Sequence, residues 1–480
     1  MATKQSQRET GTPSVLVSII PVFSLAVLMG LAIKTFGDGA TGGPAQVALM
    51  TSGAIAGLLA VLSGSKWSDL EKSVIATISS ASIPILILLT IGALIGVWMM
   101  AGVIPTLIYY GAQVLNPTIF YPSALILCAI VSLAIGSSWT TAGAIGVALI
   151  GIAQATGMSP EITAGAVISG SYFGDKLSPL SDTTNLAPAV AGSELFEHIR
   201  FLLWTTVPAI TIALVFFIVA SIFAEPTGGE EQSAALSQAL EGSFNLSPWL
   251  FVPLLLLLFM AQRRMPALAT LILSVAIGAL FVFIFQTDFL GDNPQEEIWQ
   301  VVASGYEATT GNAVVDDLLS RGGMGSMTNT IWIIISAMFF SGMMEGSGQL
   351  AVLLRALTRG LQKAGSIVAA AGITALFANL VASDQYMSIV ITARMYADEF
   401  KRRGLAPVNL SRAVEDYGTV TSPLVPWNTC GVFMAGTLGV ATLSYLPFAI
   451  FNIASPLIAL AYAMIHFQIR EIAQPVAETA

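Results

Sequence analysis

The stretch GSYFGDKLSPLSDTTNLAPAVAG, Gly170 to Gly192, sets Asp175, Lys176 and Asp182 among hydroxyl and amide side chains between two apolar runs. Ionisable groups at membrane depth are costly, so they face a cavity or a partner and mark a functional site. Pro179, Pro188, Gly174 and Gly192 predict a broken helix here, because proline removes a backbone donor and clashes with the preceding turn. The carbonyls freed by such a break, together with carboxylates, make a site for a cation.

The surrounding chain is that of a polytopic membrane protein. Its 480 residues are 55% hydrophobic and 10% charged, with a mean hydropathy of +0.80; soluble domains carry roughly 25% charge. Several segments reach the ~20 apolar residues needed to span the hydrocarbon. The first apolar run follows a charged N-terminus without a convincing cleavage site and reads as a retained span. The net charge of −9 sits mainly in loops, and no nucleic-acid partner is expected. Cys128 and Cys430 lie in apolar stretches and offer neither a disulfide framework nor metal-ligand spacing. No phosphate-binding loop of an ATPase is present.

Further along, apolar residues 117–157 are interrupted by GSSWTTAG, Gly136 to Gly143, which suits a helical hairpin with a polar tip at Ser137 and Ser138. Irregular backbone at that depth is tolerated only where protein or a water-filled cavity surrounds it. A second hairpin pattern has its tip at Ser383, Asp384 and Gln385, and a second broken-helix pattern occupies 407–440. A shift of 244 residues lays Gly174, Ser178, Pro179, Leu180, Ala191 and Gly192 on Gly418, Ser422, Pro423, Leu424, Ala435 and Gly436. Near the start of each half the shift is 222, so the polar excursion at about 288–326 reads as an insertion of about 22 residues.

The expected fold is therefore an all-α polytopic membrane protein of two inverted-topology repeats. Each has about five transmembrane helices, a re-entrant helical hairpin and a broken helix. The first repeat covers 1–224, an acidic extracytoplasmic linker 225–245, and the second repeat 246–480. Charge agrees with inversion. With both termini inside, Lys4, Arg8, Lys66, Lys72, Arg200, Arg263, Arg264, Arg355, Arg359, Lys363, Lys401, Arg402, Arg403 and Arg470 fall on the cytoplasmic side. Lys34 and Arg321 fall outside, and Lys176, Arg394 and Arg412 near the core.

Inverted repeats with paired discontinuous helices are the architecture of many secondary transporters, whose sites lie near the midplane. A dehydrating Na+ needs several oxygens. Ser137, Ser138, Ser178, Thr183, Thr184, Asn185, Ser383, Thr421, Ser422, Asn428 and Thr429 offer them, with Asp175 and Asp182 as the Na+ carboxylates. Glu415, Asp416 and Asp384 are further candidates for ion or proton binding. A carboxylate able to hold either a proton or Na+ would supply the minimum for exchange. Lys176 and Arg412 read as charge-balancing: Lys176 would neutralise an aspartate, and Arg412 would pair with Asp416 at i and i+4, leaving Glu415 the freer acid. Asp384 has a bland alternative as a helix cap.

GSYFGDKLSPLSDTTNLAP and SRAVEDYGTVTSPLVPWNTCG resemble the paired signatures of the NhaC Na+/H+ antiporters, within the ion transporter superfamily. IGALIGVWMMAGVIPTLIYYG at 91–111 and LLSRGGMGSM at 318–327 extend the resemblance over nearly the whole chain. It implies exchange of Na+ for H+ across the cytoplasmic membrane by alternating access, without an organic cofactor and with a homodimer possible. Similar sequences include malate–lactate exchangers and sodium-coupled amino-acid carriers, so Na+- or H+-coupled transport of a small organic acid or amino acid is the alternative, with Arg394, Arg412 or Lys176 binding its carboxylate. An intramembrane aspartyl hydrolase is the reading from another class. Tyr172 stands where its Gly-x-Gly-Asp element needs glycine, and the repeat would go unexplained.

Overall fold

The computed structural model describes residues 13–114, 116–224, 230–291, 293–309, 316, 319–356 and 363–472. Among them there is no strand; helices account for nearly everything. The N-terminal half contains α1 Val15–Phe36, α2 Pro44–Leu62, α3 Trp67–Ser80, α4 Ser82–Met100, α5 Val103–Val114, α6 Phe120–Ile135, α7 Ser138–Thr141, α8 Val147–Ala155, α9 Pro160–Leu177, α10 Asp182–Ala191 and α11 Leu195–Ile222. The expected linker contains α12 Glu230–Ser243, and after it come α13 Val252–Gln262, α14 Ala267–Phe285, α15 Pro294–Ser304, α16 Thr328–Gly346, α17 Gln349–Ala356, α18 Ala364–Val381, α19 Gln385–Arg402, α20 Pro407–Val414, α21 Thr429–Leu438, α22 Thr442–Tyr445 and α23 Ile450–Met464. Eight helices are long and apolar enough to cross a membrane, and up to ten if two sharply bent pairs each count as one span. The protein is an integral membrane protein.

Residues 225–229 of the expected linker lie outside the described residues, as do Lys4, Arg8, Arg359, Asp292 and parts of the polar excursion.

Small residues set how closely helices approach. α6 and α9 pack with almost no space between their backbones: a Cβ on Gly170 would lie 2.3 Å from the carbonyl oxygen of Leu125, and one on Gly174 2.4 Å from that of Ala129. Gly174 therefore does not break the helix, as the sequence suggested, but lets α9 run flush against α6. Elsewhere α14 lies against α4, with Trp98 Nε1 donating to the Ser274 carbonyl at 3.2 Å. Polar residues also join spans, as in membrane bundles generally; Ser24 bonds Ser52 at 3.1 Å between α1 and α2.

Both expected helix interruptions are present. Ser178–Ser181 separates α9 from α10, and Ser422–Leu424 with the residues after it separates α20 from α21. Two details differ. Pro188 lies inside α10, which continues to Ala191 and ends at Gly192 with φ +83°. Asp182 is the first residue of α10 rather than part of the unwound segment, because Ser181 caps the helix by accepting from Thr184 N–H at 3.3 Å.

The hairpin patterns are also helical pairs with tight tips. α6 turns into α7 through Gly136, φ +75°, and α18 turns into α19 through Ser383, φ +57°. A left-handed serine costs backbone energy and persists only where its surroundings hold it.

Candidate functional site

The first break carries Asp175 at its edge. One carboxylate oxygen of this buried side chain accepts from Ser138 N–H at 3.1 Å and from Ser138 Oγ–H at 2.7 Å. That pair of bonds ties the tip between α6 and α7 to the end of α9. The break itself is closed by its own polar side chains. Thr184 Oγ–H donates to the carbonyls of Asp175 at 3.1 Å and Lys176 at 3.2 Å, while Asn185 Nδ2 donates to those of Pro179 at 2.9 Å and Ser181 at 2.7 Å. Ser178 Oγ accepts from Leu180 N–H at 3.3 Å.

A cavity of about 750 Å³ reaches this break. Ser137, Ser138, Asp175, Asp182 and Thr183 line it, together with Gln385 and Tyr386 from the start of α19 and apolar residues from the N-terminal halves of α4 and α14. Its lining contains two carboxylates and no lysine or arginine. Asp182 is exposed to it, whereas Ser178 and Thr184 are sealed behind.

The second break is organised around Asn379 of α18, which sequence reasoning missed. Its amide donates to the carbonyls of Tyr417 at 3.2 Å and Gly418 at 2.6 Å and to Thr421 Oγ1 at 3.1 Å. Thr421 donates in turn to the Tyr417 carbonyl, and Asn428 Nδ2 reaches back to Asn379 at 3.2 and 3.3 Å. Ser422 bonds Gln385 at 3.4 Å and the Thr419 carbonyl at 2.6 Å. Asp384 does cap α19, accepting from Met387 N–H at 3.1 Å, and it also accepts from Thr429 Oγ–H at 3.0 Å. Thr429 N–H donates to the Ser383 carbonyl at 2.9 Å, which holds that left-handed serine in place. Each hairpin tip is thus bonded to a broken helix through one aspartate, Asp175 at the first and Asp384 at the second.

Charge pairing differs from the sequence expectation. Asp416 pairs with Lys176 across the two halves, both fully buried, instead of with Arg412. The partner comes from far away in sequence: Lys176 of α9 reaches Asp416, which lies in a π-turn, Glu415–Thr419, after α20 stops at Val414. The same Asp416 oxygen accepts from Thr205 at 2.9 Å and Ser455 at 3.0 Å, and Lys176 also donates to Ser455 at 2.9 Å. Arg412 instead lies over the Phe201 ring, 4.2 Å from its centroid, with one guanidinium nitrogen unpartnered. Thr205 and Ser455 gave no signal in sequence, since isolated hydroxyls in apolar spans are ordinary packing residues.

Glu415 is the freer acid. Its side chain is fully buried, neither carboxylate oxygen has a hydrogen-bond partner, and Thr419 Oγ1 beside it is likewise unpartnered. Asp175 and Lys176 lie within electrostatic reach of it. Buried polar atoms without partners are few in folded proteins, and each points to a role or to a missing water or ion. Among the described residues no three His, Cys, Asp or Glu side chains are grouped to hold a metal ion, so an alkali cation here would draw on hydroxyl and carbonyl oxygens beside single carboxylates.

Apolar helices broken around buried carboxylates, with hairpin tips packed on the breaks and a cavity opening to them from one end, define a polytopic membrane protein of the transporter class. The chain belongs to the Na+/H+ antiporter family, whose match spans residues 170–466. The NhaC Na+/H+ antiporter of Alkalihalophilus pseudofirmus is 39% identical over 397 residues, 82% of this chain and 85% of its own. The malate-2H+/Na+-lactate antiporter of Bacillus subtilis is 35% identical over 437 residues, 90% and 91% of the two chains. The arginine/ornithine antiporter ArcD of Halobacterium salinarum is 35% identical over 451 residues, 93% and 91%. The resemblance drawn from the paired broken-helix signatures is borne out.

Proposed function

We propose that this protein exchanges Na+ for H+ across the cytoplasmic membrane by alternating access. The observation that carries this reading is the lining of the cavity at the first break. It presents Asp175 and Asp182 with the hydroxyls of Ser137, Ser138 and Thr183 and with no cationic side chain. Such a surface attracts a small cation and repels a carboxylate substrate. Asp175 and Asp182 are the Na+ carboxylates, with Ser178, Thr184 and Asn185 shaping the break behind them. Glu415 is the proton-binding acid. Asp384, Ser383, Thr421, Ser422, Asn428 and Thr429 form the matching second break, and Asp416 is held by Lys176 as a charge-balancing pair, with Arg412 balancing the acids more remotely.

The two halves, 1–224 and 246–480, act as inverted repeats with hairpins re-entering from opposite faces, and residues 225–245 and 288–326 lie outside the cell. Lysine and arginine distribution supports this orientation, with both termini inside. The cavity then opens to the cytoplasm, because it lies beside the N-terminal ends of α4 and α14, which follow Lys66, Lys72, Arg263 and Arg264. No organic cofactor is required, and a homodimer suits the mechanism without being needed for the site.

The alternative is coupled transport of an organic solute, which the names of two relatives raise. The cations that could bind a substrate carboxylate speak against an anion: Lys176 is paired and sealed, Arg412 is buried, and neither they nor Arg394 line the cavity. Flux in proteoliposomes tests the two readings. Na+-driven proton movement with no organic solute is expected, and it should fall to background in both Asp175→Asn and Asp182→Asn. An absolute requirement for malate, lactate or an amino acid would overturn the proposal.

A further inference from the structure

A second cavity, about 450 Å³, lies beyond the first along the same helices. α4 contributes Ile91 to the first and Ile95 to the second; the arm after the first hairpin tip contributes Thr140 to the first and Val147 to the second. Ile91 and Ile95 are one helical turn apart, about 6 Å along the axis. Between the cavities Ile91 sits on Gly143: the three atoms nearest to a Cβ added to that glycine all belong to Ile91, at 3.2, 3.6 and 3.8 Å. Ile91 is fully buried and Gly143 is buried. The glycine belongs to a π-turn, Ala142–Gly146, in the otherwise helical arm, and such turns inside helices recur at functional positions.

We infer that the Ile91–Gly143 contact is the seal between the two faces of the membrane, a single side-chain layer on which α4 and the hairpin arm slide past each other. The side-chain-free surface of Gly143 makes the contact both tight and free of interlocking, whereas a larger residue there would key the arm to α4. Trp139, stacked on Phe433 of α21 at 4.0 Å between ring centroids, joins the arm to the second broken helix, so those two elements slide together against α4. Ile91 and Gly143 are positioning residues: neither touches the ion at the break. The inference rests on the alternating-access reading and on the membrane orientation given with it, but not on which solute is carried.

Thiol accessibility in oriented vesicles tests it with the full chain. Ser80→Cys reports the first cavity and Ser326→Cys the second; both serines are exposed. Cys128 and Cys430 are both buried, and Cys430 adjoins the second break, so both are replaced by serine and only the introduced thiols are read. Ag+, a thiol-reactive cation, is applied from the cytoplasmic face, and blocked cysteines are counted by later alkylation. With Ile91 intact, Ser80→Cys should be blocked and Ser326→Cys spared. With Ile91→Ala, Ser326→Cys should lose that protection, while Ser80→Cys still reacts. Continued protection in Ile91→Ala protein would overturn the seal. Gly143→Val should leave Ser80→Cys reactive yet abolish exchange, and exchange at the normal rate in that variant would also overturn it. With Ile91 intact, blocking of both cysteines from the cytoplasmic face would also overturn the seal, whereas blocking of Ser326→Cys with Ser80→Cys spared would overturn the orientation.

Discussion

Lys176 and Asp416, 240 residues apart in sequence, form an ion pair in which neither side chain has any solvent exposure. It joins the end of α9 to the π-turn after α20. Thr205 and Ser455 bring α11 and α23 to the same carboxylate oxygen. Four elements from both halves thus converge on one buried charge pair.

Breaking such a pair from one side leaves an uncompensated charge, at a cost of about 3–5 kcal/mol. Lys176→Met and Asp416→Leu should each lower the thermal stability of the purified protein sharply, and the double variant should recover most of the loss. A double variant no more stable than the weaker single one would mean that the pair does not act as a unit.

Glu415 has the opposite expectation. Neither of its carboxylate oxygens accepts a hydrogen bond, so Glu415→Gln, which keeps the side chain's shape and breaks no ion pair, should fold and melt at the same temperature as the parent or higher. The same substitution should remove proton coupling, read as Na+ binding that no longer changes with pH.

Gly174→Ala should weaken the α6–α9 seam. Its added methyl would sit 2.4 Å from the Ala129 carbonyl and 2.5 Å from Leu133 N, and overpacking of this kind costs about 1–3 kcal/mol. The expected readout is a lower melting temperature together with faster hydrogen exchange in α6.

At the start of α11, outside the membrane core, the N–H groups of Phe196 at 3.0 Å and Glu197 at 2.8 Å hold the Glu194 carboxyl below the usual carboxylate range. A depressed value in the folded state means that the cap is fully present above the ordinary carboxylate range and is lost as pH falls through the lowered one. Amide exchange at Phe196 and Glu197 should therefore accelerate on acidification. In Glu194→Gln it should be fast at neutral pH already.

The places where sequence reading succeeded share a physical cause. Ser178-Pro179 and Ser422-Pro423 interrupt apolar runs with residues that cannot continue a helix, and both interruptions are present. The reading of Asp384 as a cap also held, because an aspartate before a helix start is a local signal. What failed was register and long-range pairing. Nothing in VEDYGT shows that Lys176, 240 residues earlier, reaches Asp416, so the i, i+4 assumption placed Asp416 on Arg412. Gly174 was read as a breaker because glycine spacing alone does not reveal a neighbouring backbone 2.4 Å from where its side chain would begin. Asn379 was passed over inside an apolar run, although a lone amide at membrane depth is itself a signal that backbone carbonyls nearby need a donor. The polar wall of the cavity was legible in sequence, but its apolar wall was not, since α4 and α14 present ordinary aliphatic surface there.

The bonds from Ser138 to Asp175 also make the site legible to spectroscopy. A cation that draws on the Asp175 oxygens competes with the N–H and O–H that hold the first hairpin tip, so occupancy and the order of that tip are thermodynamically linked. Trp139 is the next residue, partly exposed on the cavity wall and stacked on Phe433. Its indole is therefore an intrinsic fluorophore one residue from Ser138, the hydrogen-bond partner of Asp175, and the difference in emission between the protein and its Trp139→Phe variant isolates that signal from the other tryptophans without any label.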